Sequence, residues 1–130
     1  LFPYTTLFRS QFNLATAYYK GEGVRQDYSE AVKWYKKAAG NGIVEAQYNL
    51  GGIYYRGEGI RENYPESFKW YKKAADKGHA KAQYNVGIMY ATGNGVKKNL
   101  IMAKKWLSAA AGQGLEEAQT ELSKLSENKK

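Results

Sequence analysis

The sequence predicts an all-α fold: an array of about three stacked helical hairpins closed by a C-terminal capping helix. Two observations carry this expectation. The string Ala46-Gln47-Tyr48-Asn49-Leu50-Gly51 returns 36 residues later as Ala82-Gln83-Tyr84-Asn85-Val86-Gly87, and a weaker copy, Ser10-Gln11-Phe12-Asn13-Leu14-Ala15, lies 36 residues upstream. Laid on 46–81 without a gap, residues 10–45 agree at more than half of the positions. Within each period, apolar residues fall at helical rather than strand spacing and are interrupted by Gly at fixed points. A unit of this length cannot bury its apolar face alone, so its neighbours must stack. Arrays of this kind present an extended surface, which favours binding over a single catalytic cleft.

Residues 1–10 stand outside the period except at Ser10. They match the translation of a common sequencing-adaptor sequence and are read as an extraneous scar. On that reading the frame is entered mid-gene, upstream repeats are missing and the compartment stays open, whether cytoplasmic, periplasmic or secreted. The repeats then occupy 11–45, 46–81 and 82–117. In the second, helix A spans about Ala46 to Arg56, with Ala46, Leu50, Ile53, Tyr54 and Gly57 on one stripe. Gly57-Glu58-Gly59 stops it, as Gly21-Glu22-Gly23 and Gly93-Asn94-Gly95 stop its counterparts, because Gly accepts the left-handed C-cap conformation. Val24, Ile60 or Val96 follows as an apolar plug.

Helix B starts near Tyr64-Pro65, Pro being tolerated in a first turn. Ser67, Trp70, Tyr71, Ala74 and Ala75 form its inner side, and Gly78 ends it, as Gly42 and Gly114 end its equivalents. Gly51 and Gly87 are expected to face Ser67 and Ala103. Residues 118–130 begin as another helix A and then lose the pattern: Thr120 replaces Tyr, Glu121 replaces Asn, and no Gly-x-Gly follows. A terminal unit with a polar outer face is a cap. The N-terminal end has no such cap, so self-association through it is one expectation.

Composition removes several functions. With no Cys there is no disulfide, thiolate metal site or Cys nucleophile. The single His, His79, has no ligand partners at metal spacing, and no cofactor is expected. No stretch approaches a membrane span. The net charge of +8 allows acidic partners. Lysines interleaved with Trp34, Trp70 and Trp106 on helix B could suggest nucleic acid. Helical spacing instead turns the aromatics inward and leaves Lys33, Lys37, Lys69 and Lys73 on a solvated outer face, so no nucleic acid is expected. Glu22 and Glu58 sit in separate repeats and form no acid/base pair. Ser126-Glu127-Asn128-Lys129 fits a serine acyl-enzyme motif by spacing alone, without its partner motifs.

The pattern Ala-x-Tyr-Asn-Leu-Gly-x-x-Tyr…Gly-x-Gly-Val/Ile…Ala-x-x-Trp-Tyr-x-x-Ala-Ala…Gly-x-x-x-Ala resembles the Sel-1-like repeat, a relative of the tetratricopeptide repeat, over residues 11–130. The resemblance implies a right-handed α/α superhelix, or solenoid, and an adaptor that binds protein or peptide without catalysis. In related tetratricopeptide proteins the outer stripe of helix A lines a concave groove. The matching residues here are Asn13, Lys20, Tyr48, Asn49, Tyr55, Arg56, Tyr84 and Asn85, with Tyr19 beside them. Asn can bond a peptide backbone, Lys or Arg can pair a carboxylate, and Tyr offers flat contact area. The third repeat departs by carrying Thr92 where Arg56 would stand. An Asn ladder could equally bond between adjacent helices and fix their stacking. Two alternatives to the adaptor remain: a structural spacer within a longer protein, and, remotely, a repeat-scaffold hydrolase acting on β-lactam or peptidoglycan-like substrates.

Overall fold

The computed structural model describes residues 3–127, with side chains from residue 6 onward. The described residues form seven helices and no strand: α1 (Pro3–Lys20), α2 (Tyr28–Gly40), α3 (Val44–Arg56), α4 (Tyr64–Asp76), α5 (Ala80–Thr92), α6 (Leu100–Gly112) and α7 (Glu116–Glu127). The main contacts run between successive helices, so α1/α2, α3/α4 and α5/α6 are hairpins stacked in chain order. Helix α1 continues upstream through residues 3–10, with Phe8 packed on the first core cluster. Leu1, Phe2 and residues 128–130, including Asn128 and Lys129 of the Ser-x-x-Lys spacing, lie outside the described residues.

Each helix end has a local cause. The B helices are capped by Asp27, Asn63 and Asn99, whose side-chain oxygens accept from the backbone N–H groups of Glu30, Glu66 and Met102, each at 3.1 Å. The backbone N–H groups of those same cap residues donate to Tyr18, Tyr54 and Tyr90 at 2.9 Å, tying each loop back to its own A helix. The A helices end in the left-handed Gly expected from the sequence; Gly57 has φ 69° and its N–H donates to Ile53 O at 2.8 Å.

The predicted stripe is the core. Ala46, Leu50, Ile53 and Tyr54 are buried, as are Ser67, Tyr71, Ala74 and Ala75 opposite them. Ser67 Oγ donates to Gly51 O at 2.7 Å, so the expected pairing of Gly51 with Ser67 is present. The residue that truly requires Gly there is Tyr71: a Cβ on Gly51 would stand 2.7 Å from its ring, and one on Gly87 would stand 2.7 Å from Leu107. Buried Gln47 and Gln83, which the apolar stripe gives no reason to expect, staple successive hairpins. Their Nε2 groups donate to Ala39 O at 3.1 Å and Ala75 O at 3.3 Å. These carbonyls lie in the last turn of a helix, where each also accepts from a backbone N–H just past the end, Gly42 at 3.1 Å and Gly78 at 2.9 Å.

One expectation needs correction. Ile60 and Val96 do plug the core, but Val24 is exposed. Ile60 packs on the hairpin before its own, whereas no hairpin precedes Val24 among the described residues. The lysines expected on the outer face of helix B are exposed, and they also lie against the tryptophan rings. Lys33 and Lys37 lie over Trp34, at 5.9 and 4.4 Å from the ring centroid, and Lys69 and Lys73 lie over Trp70 at 5.4 and 5.5 Å. The tryptophans are half-buried: Trp34 and Trp70 pack against the first core cluster and carry these ammonium groups over their rings. Helix α7 behaves as a cap: Leu122 and Leu125 pack inward on Leu107 and Ala110, while Glu116, Glu117, Gln119 and Thr120 face solvent.

Candidate functional site

The A helices present successive residues from α1, α3 and α5 along one side of the stack, and three hollows open there. The first, of about 330 Å³, is lined by Phe12, Thr16, Tyr19 and Lys20 of α1, Tyr35 of α2, and Asn49, Ile53 and Arg56 of α3. The second, of about 150 Å³, is lined by Tyr55, Tyr71, Asn85, Ile88 and Met89. The third, of about 200 Å³, is lined by Tyr48, Lys81, Tyr84, Asn85, Leu115 and Glu117. The sequence-derived stripe is therefore divided: Lys20, Asn49 and Arg56 meet in the first hollow, Tyr55 and Asn85 in the second, and Tyr48, Tyr84 and Asn85 in the third. Asn13 is exposed and lines none of them.

The floor of the first hollow is a directed hydrogen-bond chain. Asn49 Nδ2 donates to Tyr35 Oη at 3.3 Å, and Tyr35 Oη lies 3.0 Å from Thr16 Oγ1. Thr16 Oγ1 donates to Phe12 O at 3.1 Å. Because Thr16 spends its proton on Phe12, Tyr35 is the donor to Thr16 and accepts from Asn49. Asn49 thus bonds across the hairpin junction, as the stacking alternative requires, and still holds its carbonyl oxygen and its second N–H toward the hollow. Burial raises the Tyr35 pKa, partly offset by its bonds with Thr16 and Asn49, so this hydroxyl stays protonated.

The rim is charged. Arg56 Nε donates to Glu58 Oε1 at 2.9 Å, and Tyr19 Oη donates to both Glu58 oxygens at 3.0 Å. Burial works against the Arg56 charge, but the bonds to Glu58 and Tyr19 outweigh it and hold its pKa above the ordinary value. Burial, followed by the bond to Glu58, raises the Tyr19 pKa. Lys20 is exposed and has no ion-pair partner among the described residues. The cation not already engaged at this hollow is therefore Lys20.

Residue reading had missed Glu58, Thr16 and Tyr35 as parts of this hollow. A signal for Glu58 was present: Lys20/Glu22 and Arg56/Glu58 both pair a cation with an acid two residues on, whereas in the third repeat both change, to Thr92 and Asn94. Tyr35 was hidden because a helix-B Tyr at a buried position reads as core. Below the groove, His79 caps α5: its Nδ1 accepts from Ala82 N–H at 3.1 Å, and its ring stacks on Tyr48 with centroids 4.4 Å apart. Burial lowers the His79 pKa, with Lys81 adding to the shift and Glu45 opposing it. No group of His, Asp and Glu suited to a metal ion occurs among the described residues, and no helix there is long and apolar enough to cross a membrane.

Comparison with known proteins fits this geometry. The profile of the Sel1 repeat matches three consecutive segments, residues 9–43, 44–79 and 80–115. A protective antigen of uropathogenic Escherichia coli strains displaying an SLR fold superposes with a TM-score of 0.88 at 41% identity, over 91% of this chain and 25% of that one. This chain thus spans about a quarter of that antigen. A Sel1 repeat protein from Oxalobacter formigenes aligns at 39% identity with a TM-score of 0.84, covering 90% of this chain and 88% of the other. Cysteine rich protein B of Helicobacter pylori shares the fold with a TM-score of 0.74 at 20% identity, over 91% of each chain. No curated protein matches the sequence.

Proposed function

Because the chain belongs to the Sel1 repeat family, whose repeats generally serve as scaffolds for protein–protein contacts, we propose that its A-helix face captures an extended peptide or protein segment and catalyses no reaction. The observation that carries this reading is the first hollow. It gathers Lys20, Asn49 and Arg56 from two successive A helices around a space of about 330 Å³. An amide with a free carbonyl and N–H can bond a peptide backbone, while the cations attract carboxylate. The net charge of +8 favours acidic segments and speeds their encounter.

The test is selection of binders from a displayed library of random dodecapeptides by the immobilised chain, with an Asn49→Ala/Arg56→Ala variant alongside. The expected outcome is a set of peptides held by the parent chain and lost from the variant, whose far-ultraviolet circular dichroism stays helical. Binders that hold equally to both, or none above background, would overturn the groove assignment.

A further inference from the structure

The first and second hollows are the same construction one repeat apart. Tyr19, Tyr35, Asn49 and Ile53 of the first correspond to Tyr55, Tyr71, Asn85 and Met89 of the second, each 36 residues on. Three differences separate them. Thr92 stands in place of Arg56, so α5 adds no cation to the downstream rim, and Arg56, which takes the place of Lys20 there, is already held by Glu58. Ile88 stands in place of Gly52 and lines the second hollow with apolar surface. Asn85 makes no side-chain hydrogen bond, whereas Asn49 is engaged with Tyr35. The first hollow is thus polar and cationic. The second sets Ile88 and Met89 beside two tyrosines, with one amide at its border, and at about 150 Å³ it admits a side chain rather than a helix.

Resting on the groove reading above, we infer that this face reads a two-point signature on one extended segment: a carboxylate paired with Lys20 at the first hollow, and an aliphatic side chain seated in the second against Tyr55, Ile88 and Met89. Asn85 bonds the peptide backbone beside the aliphatic residue. Charge complementarity selects the first point, since Glu58 already engages Arg56 and leaves Lys20 unpaired. The first point faces the N-terminal end of the stack and the second the C-terminal end, so the segment has a fixed direction.

The same dodecapeptide selection tests this, followed by synthesis of one selected peptide and two relatives. One relative carries Asn for Asp or Gln for Glu, and the other Ser for the aliphatic residue. The protein variants are Lys20→Ala and Ile88→Thr; Thr16 already occupies the equivalent position of the first repeat, so Thr is compatible with it. The expected result is that selected peptides share an acid and an aliphatic residue at a constant separation. Lys20→Ala should weaken the parent peptide about tenfold but leave the acid-less relative unchanged. Ile88→Thr should weaken the parent peptide several-fold but leave the Ser relative unchanged, the cross-pattern that marks direct coupling. Peptides lost from the Asn49→Ala/Arg56→Ala variant but lacking an aliphatic position, or indifferent to Ile88→Thr, would overturn the two-point signature and leave the groove standing. Absence of any selected peptide would overturn both.

Discussion

The junction between the first and second hairpins and the junction between the second and third are built to one plan and finished differently. In the upstream junction Gln47 donates to Ala39 O, but its Oε1 is buried without a partner. The nearby Lys77 ends instead on Gly42 O at 3.1 Å. In the downstream junction Gln113 occupies the position of Lys77 and closes the network, donating to Gly78 O at 2.9 Å and to Gln83 Oε1 at 2.8 Å. On the opposite face the order reverses. The upstream hollow holds a complete chain from Asn49 through Tyr35 and Thr16, while downstream Asn85 is left free. The difference teaches where this array tolerates change. Close-approach positions stay small, with Ala15, Gly51 and Gly87 in turn, because a larger side chain would meet the facing helix. Positions at the hollows and at the staples vary because each costs only a local hydrogen bond.

The largest expected effect tests the close approach of the two helices inside the second hairpin, which the third repeats. Gly51→Ala puts a Cβ 2.7 Å from the buried Tyr71 ring and should cost about 1–3 kcal/mol by overpacking, read as a lower midpoint in urea unfolding. The adjacent Gly52→Ala meets chiefly the flexible Arg56 guanidinium and should be near neutral, because the helical Gly-to-Ala gain of roughly 0.5–1 kcal/mol offsets the adjustment. Equal losses at both positions would refute the assignment of Gly51 as the contact point.

A smaller effect sharpens the staple comparison. Lys77→Gln copies the downstream arrangement, supplying a donor to Gln47 Oε1 while keeping one for Gly42 O. Stability should rise by about 1 kcal/mol, the worth of satisfying one buried acceptor. The thermal midpoint should increase by a few degrees, and Gln113→Lys should lower it. A Lys77→Gln variant no more stable than its parent would show that the two staples are not equivalent.

The smallest effect is on pH dependence. His79 takes the place of Ile43 and Leu115 in the other repeats and caps α5 only when Nδ1 is unprotonated. Its folded pKa lies below the unfolded value, so its contribution is full above about pH 6.5, the unfolded pKa. As pH falls through that value the unfolded chain takes the proton first, and stability declines until the lower folded pKa is passed. His79→Ile should flatten the stability profile over that interval. An unchanged slope would remove His79 as its source.

Much of the fold was legible because it repeats. Period, helix breaks and core stripe all follow from residues that return at a constant interval, and each copy checks the others. Gly57 as a left-handed C-cap and Ser67 against Gly51 could be read in this way. What stayed hidden was whatever needs two repeats at once. Tyr35 belongs to the core by its own helix and to a hollow by its hydroxyl. Glu58 reaches from one repeat to Tyr19 of another, and a one-dimensional pattern gives no sign of that reach. The contact of the exposed lysines with the tryptophan rings stayed hidden for a related reason. Helical spacing separates inner from outer faces, but a wide ring on the boundary belongs to both.

Because the first two hollows take their hydroxyls and first cation from one repeat and their amide from the next, the heritable unit and the working unit are out of phase. Duplicating a repeat within such an array would add a seam assembled from old halves. Lys20 and Tyr35 could then meet an amide other than that of Asn49. A new specificity could arise by recombining existing halves, before any single residue had changed.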